Sequence, residues 1–536
     1  MTSTQIPFSS TGFFSNLILD YIDQKPSLNP FYKYKNTIEE IEEIILNKKN
    51  EQINRPLLAS TIEQQYKNGI DINIHPNCSN NIHVLKDENA FCIVTAHQLN
   101  IFTGPLYLIY KVAQTISTCK QLKIKYPNYH FVPVYWLGSE DHDFEEINHI
   151  HLFQKKIEWF DKQGGATGRY SLNTIHTVVD EIKNVLGNSA YATHLISIFE
   201  QAYQQKKLAQ ATRFLFNELF GQYGLVVIDG DDVTFKQQFS EIMKDELLHQ
   251  NTIQFVNQQI NQIEAKGYKQ QAFPRAINLF YLSKNSRERI VKEHEIYKIQ
   301  NTTIQFTTDE ILMELKNHPE RFSPNVILRP LFQQKILPAL SFIGGAGEIS
   351  YWLQLQPVFD FYKINFPQLI LRNSALLISS NLENKIEKLA LNQNDFFNDI
   401  ESIKKQFIAH HTHDDIDVSN IKNEIEQAFI QLQSLTKSID ESLVNTVGAE
   451  LQKTLHSIDG LQKRMLKSLK QKNETQLNQM LDRRAREIAI QKSYISKFKA
   501  VIPVKKIGII YRSEKEYKEK VIKNIKKRRQ QNLKED

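Results

Sequence analysis

The sequence predicts an α/β protein: an open sheet with helices, followed by a long α-helical region. Two observations predict this. Short apolar, β-branched runs are each followed by a polar loop and then a helical pattern. From Leu382 to Lys499 there is no proline, the only glycines are Gly448 and Gly460, and apolar residues recur in steps of three and four.

The first α/β unit sets the pattern. Phe91-Cys92-Ile93-Val94 is a buried-strand run, Thr95 to Asn100 a polar turn, and Leu106 to Lys111 the start of an apolar helix. Thr103 is placed to cap that helix and Pro105 suits its first turn. Ligands of open α/β sheets sit beyond the C-terminal ends of the strands. His97, Gln98 and Thr103 fall there.

The second unit is Phe131 to Leu137, which runs into Gly138-Ser139-Glu140-Asp141-His142-Asp143-Phe144-Glu145-Glu146. Five carboxylates and one histidine thus follow a strand directly. An acid-rich helix N-terminus, favoured by the helix dipole, is one reading. The other is that Glu140, Asp141, His142 and Asp143 line a pocket beside His97. Carboxylates there can hold an ammonium group, position a divalent ion or act as a base. No second His/Asp cluster accompanies them, and His410-His411-Thr412-His413 lies in a polar loop, so no dedicated protein metal site is expected.

Residues 1 to about 88 look like a helical, polar lead-in packed on the core. Between about 150 and 320 the signals are looser: Gly164 to Gly168 reads as a turn or loop, and Gly224 to Asp232 as a third strand ending in acids. Glu241 to Glu264 is helical, and Phe280-Tyr281-Leu282 and Ile290-Val291 are strands separated by a basic turn with Arg287 and Arg289. The fourth core unit, Asn325 to Gln333, leads through Leu337 to Ile343 into Gly344-Gly345-Ala346-Gly347-Glu348. A strand entering a glycine-rich turn and then a helix, Ile349 to Phe359, can close backbone N–H groups on an anion. Glu348 can cap that helix or bind a ligand hydroxyl or amine, and Arg329 and Lys335 can face phosphate. Leu369 to Ser374 is a last strand.

The division expected is 1–150 and 321–378 as the two parts of the core, 151–320 as inserted segments with further core elements, 379–499 as a coiled coil and 500–536 as a poorly packed basic tail. The coiled-coil helices must pair, either as a dimerisation arm or as a hairpin within the chain. The formal net charge is +6, much of it in the tail, so a nucleic-acid-binding face is not indicated. Cys78, Cys92 and Cys119 show no paired or metal-type spacing and read as reduced thiols. Neither a signal peptide nor a run of the ~20 apolar residues needed to span a bilayer is evident, so a soluble, cytoplasmic protein is expected.

These motifs, in this order, resemble the BshC family, the cysteine-adding enzymes of bacillithiol biosynthesis. The resemblance is carried by HQLNIFTGPLYLIYK (His97 to Lys111), PVYWLGSEDHDFEEINH (Pro133 to His149), GLVVIDGDD (Gly224 to Asp232) and SPNVILRPLFQQKILPALSFIGGAGEISYW (Ser323 to Trp352). The family usually has a glutamine pair where this chain has His97-Gln98, and a glycine where it has Asn100. The resemblance implies a Rossmann-like core with inserted connecting segments and a coiled-coil domain used in homodimerisation. It also implies a ligase that adds L-cysteine to the amino group of glucosaminyl-malate.

For such chemistry ATP with Mg²⁺ is the expected source of activation. Asp141, His142, Asp143 and His97 are then the catalytic candidates, and Gln98, Thr103, Glu140 and Glu348 the substrate-binding ones. Gly344, Gly345, Gly347 and Arg329 would hold the nucleotide. The competing classes are a non-catalytic nucleotide- or sugar-binding scaffold with a coiled-coil arm, and a metal-dependent hydrolase using the acidic cluster.

Overall fold

The computed structural model describes residues 6–71, 74–152, 155–375 and 417–491, with Asn384, Phe397, Ser402 and Ile403. Two compact units divide the chain close to residue 377.

The larger unit is built on a five-stranded sheet of β1 (Ala90–His97), β2 (His130–Leu137), β5 (Val226–Asp229), β11 (Ala339–Gly344) and β12 (Gln368–Leu371). Their order is β12-β11-β1-β2-β5. Every pair in it is parallel. The strands are near-continuous apolar runs because both faces are covered. Cys92, Val94 and Ala96 of β1 and Val132, Val134 and Trp136 of β2 enter one core. Phe91, Ile93, Tyr135 and Leu137 point to the opposite face, into two further clusters. The N-terminal helices pack on this body: Tyr21 donates to the Leu369 carbonyl at 2.7 Å and Arg55 to that of Ala90 at 2.7 Å.

The inserted region carries an antiparallel hairpin of β3 (His149–Leu152) and β4 (Lys155–Glu158). It also carries a second sheet of β6 (Leu279–Leu282), β7 (Arg287–Glu293), β8 (Ile296–Ile299), β9 (Gln305–Phe306) and β10 (Phe322–Pro324). Their order is β10-β6-β7-β8-β9. Arg287 and Arg289 therefore lie on β7, and the turn before it is Ser283 to Ser286.

Three local expectations are corrected. Asn325 to Gln333 is not a strand: the Asn325 side chain accepts the N–H groups of Ile327 and Leu328, Pro330 sits at the helix start, and Arg329–Ile336 is helical. The helix after the glycine turn is two, Ala346–Trp352 and Gln356–Phe361. Thr103 does not cap the helix Leu106–Lys125, whose N-cap position is Pro105 with no side-chain bond. Instead Phe102, Thr103 and Gly104 all have positive φ (51°, 72° and 62°), and Thr103 is fully buried. Such a conformation costs energy at a β-branched residue. It is held by Tyr203, whose hydroxyl accepts the Phe102 N–H at 2.7 Å.

The second unit is a helical hairpin of Ser419–Lys437 and Val444–Gln491 joined through Glu441–Leu443. An ion pair of Lys422 with Asp459, and Gln433 lying over Gly448, place the helices antiparallel. Ile425, Phe429, Leu451, Leu455 and Ile458 are half-buried along the seam. Ile421, Leu432, Leu435, Ile439, Leu443 and Met465 are exposed on this chain. The polar loop bearing His410-His411-Thr412-His413 and the basic tail 500–536 lie outside the described residues. Among the described residues no helix is long and apolar enough to cross a membrane. Cys78, Cys92 and Cys119 are buried free thiols.

Candidate active site

Chain order reverses between β1 and β11, so a crevice opens there past the strand ends. The residues that end β1, β2, β5 and β11 all lie on one edge of the sheet, because the strands are parallel. Two chemically different regions sit along that edge.

The first is the β1/β11 crevice. Tyr107 and Lys111 are four apart on the helix Leu106–Lys125 and so share a face. Lys111 Nζ, buried, donates to the Ala96 carbonyl at 2.6 Å and pairs with Glu348 Oε2 at 2.5 Å. Burial alone would raise the Glu348 carboxyl, but the Lys111 ammonium outweighs it and holds the group below its ordinary range. Glu348 Oε2 also accepts the Gly345 N–H at 2.8 Å. That amide of the glycine turn is thus already occupied, and Glu348 caps its own helix. Gly344 has a packing reason: a Cβ there would stand 2.8 Å from the Phe342 ring. Two further cations complete the crevice. Arg329 donates to Tyr351 Oη at 2.6 Å, and its buried Nη1 has no hydrogen-bond partner among the described residues. Arg372 lies over the Tyr107 ring, 5.1 Å from its centroid. Among the described residues Lys111, Arg329 and Arg372 gather here around Glu348, a setting that suits an anion.

His97 bridges to the second region. Its Nδ1 lies 3.2 Å from the Gln98 carbonyl, which can only accept, so Nδ1 carries the proton. Nε2 is then left to accept from Tyr107 Oη at 3.2 Å. Burial lowers the His97 pKa, Lys111 and Arg372 add repulsion, and the imidazole is pulled down to about 4. Held neutral in the fold but free to protonate in the unfolded chain below 6.5, it gives stability a definite pH dependence. Its contribution is intact above about pH 6.5 and falls by up to about 3 kcal/mol as the pH drops toward 4. The slope should flatten in His97→Gln. Urea midpoints read by tryptophan fluorescence between pH 4 and 7 check this, and equal slopes in both proteins contradict it.

The second region is a cleft of about 750 Å³ beyond β2, reached by Gln98, Asp141, His142, Asp143, Gln163 and Arg287 among others. Gln98 Nε2 donates to Asp141 Oδ2 and to Glu146 Oε2, both at 2.7 Å. One neutral amide therefore draws two carboxylates together, a setting that favours a cation. Asp141 Oδ1 accepts the His142 N–H at 2.7 Å and that of Asp143 at 3.3 Å, which fixes the acidic turn. His142 and Asp143 are exposed.

Glu140, the first acid of the motif, points the other way. It pairs at 2.6 Å with Lys236, which is buried and also meets Asp231 at 2.9 Å. Arg169 grips Asp231 with two bonds, of 2.6 and 2.7 Å. Burial alone would raise the Asp231 carboxyl; Lys236 and Arg169 hold it well below the usual carboxylate range. Ser139 donates to Asp229 at the end of β5. This network anchors the acidic turn from behind, and Glu140 belongs to it rather than to the cleft.

The structure thus gathers His97, Gln98, Asp141, His142, Asp143, Glu348, Arg329 and the glycine turn along one edge. Thr103 and Glu140 are set into the body. Lys111 and Lys236 carry much of the geometry without having been singled out from sequence, and Arg287 was read there only as part of a basic turn. A lysine inside the apolar helix face LYLIYKVA was the available signal for Lys111. Among the described residues no group of three or more His, Cys, Asp or Glu side chains is arranged to hold a metal ion.

A parallel sheet with a switch-point crevice, joined to a helical hairpin, defines a Rossmann-like protein with a coiled-coil domain. Residues 1–373 match the family model described as "Bacillithiol biosynthesis BshC, N-terminal Rossmann-like domain", and residues 375–485 the one described as "Bacillithiol biosynthesis BshC, C-terminal coiled-coil domain". Relatives from Flavobacterium psychrophilum and Flavobacterium johnsoniae are each 42% identical, over 90% of this chain and 91% of the relative. One from Cytophaga hutchinsonii is 36% identical over 87% of both. All three carry the name "Putative cysteine ligase BshC". The chain belongs to the bacillithiol biosynthesis BshC family. Neither the hydrolase nor the scaffold alternative is favoured by these relatives.

Proposed function

We propose that this chain is the ligase that joins the carboxyl of L-cysteine to the amino group of glucosaminyl-malate, the last step of bacillithiol biosynthesis. The observation that supports the reading most is the meeting of two opposite environments at His97-Gln98. The anion-seeking crevice of Lys111, Arg329 and Arg372 lies on one side and the carboxylate-lined cleft of Asp141 and Asp143 on the other. Amide formation brings together carboxylate or phosphate groups and amines, and holding them in register is much of the catalysis.

ATP is the co-substrate that activates the cysteine carboxyl. Its phosphates suit the three cations, and Mg²⁺ arrives on the nucleotide rather than on a protein site of its own. Gly344 and Gly345 shape that crevice by letting Glu348 close on the turn, whereas a Cβ at Gly347 would meet nothing nearer than Gln271 at 4.0 Å. With Nδ1 of His97 protonated and its Nε2 engaged by Tyr107, the imidazole positions more readily than it accepts a proton. Asp141 and Asp143 hold a substrate ammonium group, and His142 stands beside them. The exposed apolar residues of the hairpin pair two copies into a homodimer, and the free thiols suit a reducing cytoplasm.

The test is to incubate the purified chain with L-cysteine, glucosaminyl-malate and ATP–Mg²⁺, following product by mass spectrometry and ATP loss in parallel. Product should need all three, with ATP consumed only when both other substrates are present. Product formed without ATP, or ATP loss indifferent to cysteine, would defeat the proposal.

A further inference from the structure

The cleft beyond β2 has a positive wall that the acidic motif does not account for. Arg287, the first residue of β7, is pinned from behind. Its Nε donates to Ser323 Oγ at 3.0 Å, its Nη2 to the Pro324 carbonyl at 3.1 Å, and its guanidinium lies 3.9 Å from the centroid of the Phe280 ring. Nη1 approaches His142 Nδ1 at 3.3 Å. A guanidinium has five N–H groups, so one more remains on each terminal nitrogen, the pair that a carboxylate takes end-on. Among the described residues Arg287 forms no ion pair with any carboxylate. The strand that bears it is fixed against the cleft by a close backbone approach. A Cβ at Gly164 would stand 2.2 Å from the Asn285 carbonyl oxygen, so only glycine lets these two loops meet.

Across the cleft, Asp141 Oδ1 lies 3.8 Å from the same His142 nitrogen. A fixed cation and a fixed anion therefore flank His142 without touching each other. That is the complement of a zwitterion. We propose that Arg287 is the specificity-determining residue for the α-amino acid substrate: it binds the α-carboxylate while Asp141 takes the α-ammonium. The assignment rests on the ligase reading above and adds which substrate occupies this cleft. It places the amino-acid carboxyl on a guanidinium that neutralises it, at the edge of the sheet that the anion-seeking crevice shares. Arginine suits the role because its planar fork is preset by three contacts before any ligand arrives.

Isothermal titration of the full chain under reducing conditions tests this with L-cysteine and with cysteamine, which lacks only the carboxylate. Wild type should bind cysteine at least about tenfold more tightly than cysteamine. Arg287→Met should lose that preference and bind the two alike, and Arg287→Lys, which keeps the charge and threatens the fold less, should retain part of it. Equal affinity of wild type for both compounds, or undiminished cysteine preference in both variants, overturns the inference. The two readings fail separately. If both variants keep the preference while wild type still makes product, the ligase reading stands without this residue. If wild type selects cysteine through Arg287 but makes no product with acceptor and ATP, the amino-acid site stands and the ligase reading falls.

Discussion

Glu348→Leu should destabilise the Rossmann-like unit by about 3–5 kcal/mol, the loss expected when one partner of a buried ion pair is removed. Lys111 is only 1% exposed at its side chain and would keep a charge whose sole remaining bond among the described residues is to the Ala96 carbonyl. The variant also frees the Gly345 N–H that Glu348 caps. Much of the cost should return in the double variant Lys111→Met/Glu348→Leu, because two apolar groups of similar volume can replace a buried pair. All three tryptophans, Trp136, Trp159 and Trp352, lie in this unit and are buried. Urea unfolding followed by their fluorescence therefore reads the relevant transition. A single variant within about 1 kcal/mol of wild type, against the 3–5 expected, would mean that the pair is not buried as described.

The second large effect is catalytic. Asp141→Asn should lower ligation by about a hundredfold or more, with little change in stability. The amide keeps an oxygen for the His142 and Asp143 N–H groups, so the turn survives. What is lost is the negative charge beside Glu146, and Gln98 then faces a second amide where it had a carboxylate. Asp143 has no side-chain capping bond and is exposed. Its asparagine variant should cost less, about tenfold, as an outer charge rather than the hub of the turn. Steady-state rates with both substrates saturating check the pair, and full activity in Asp141→Asn would remove the cleft from the mechanism.

The reach of the sequence can be judged residue by residue. The strands of β1 and β2 were legible because parallel strands buried on both faces read as continuous apolar runs. Their loops followed, since a strand's end fixes where the next residues stand, and Gln98 and Asp141 do meet. Asn325 to Gln333 misled because its apolar spacing suits a strand, while the Asn325 turn and Pro330 commit it to a helix. Thr103 sits where a cap belongs, but the run of positive φ from Phe102 to Gly104 is held by Tyr203, about a hundred positions away, and no local pattern signals that. Glu140 was indistinguishable from its acidic neighbours until Lys236, on the helix Val233–His249, claimed it. Arg287 was hidden for the same reason: its role depends on Phe280, Ser323 and Gly164 converging from separate segments. In the hairpin the heptad stripe was visible, but the seam uses Ile425 and Phe429 and leaves Leu432 and Leu435 outside.

The most direct measurement is the low-molecular-weight thiol pool of cells lacking this chain, resolved by mass spectrometry and repeated after return of the wild-type chain or the Asp141→Asn variant. Loss of bacillithiol with accumulation of glucosaminyl-malate, reversed by wild type and not by the variant, is the predicted result. Bacillithiol that persists without the chain, or returns in full with Asp141→Asn, would contradict the account.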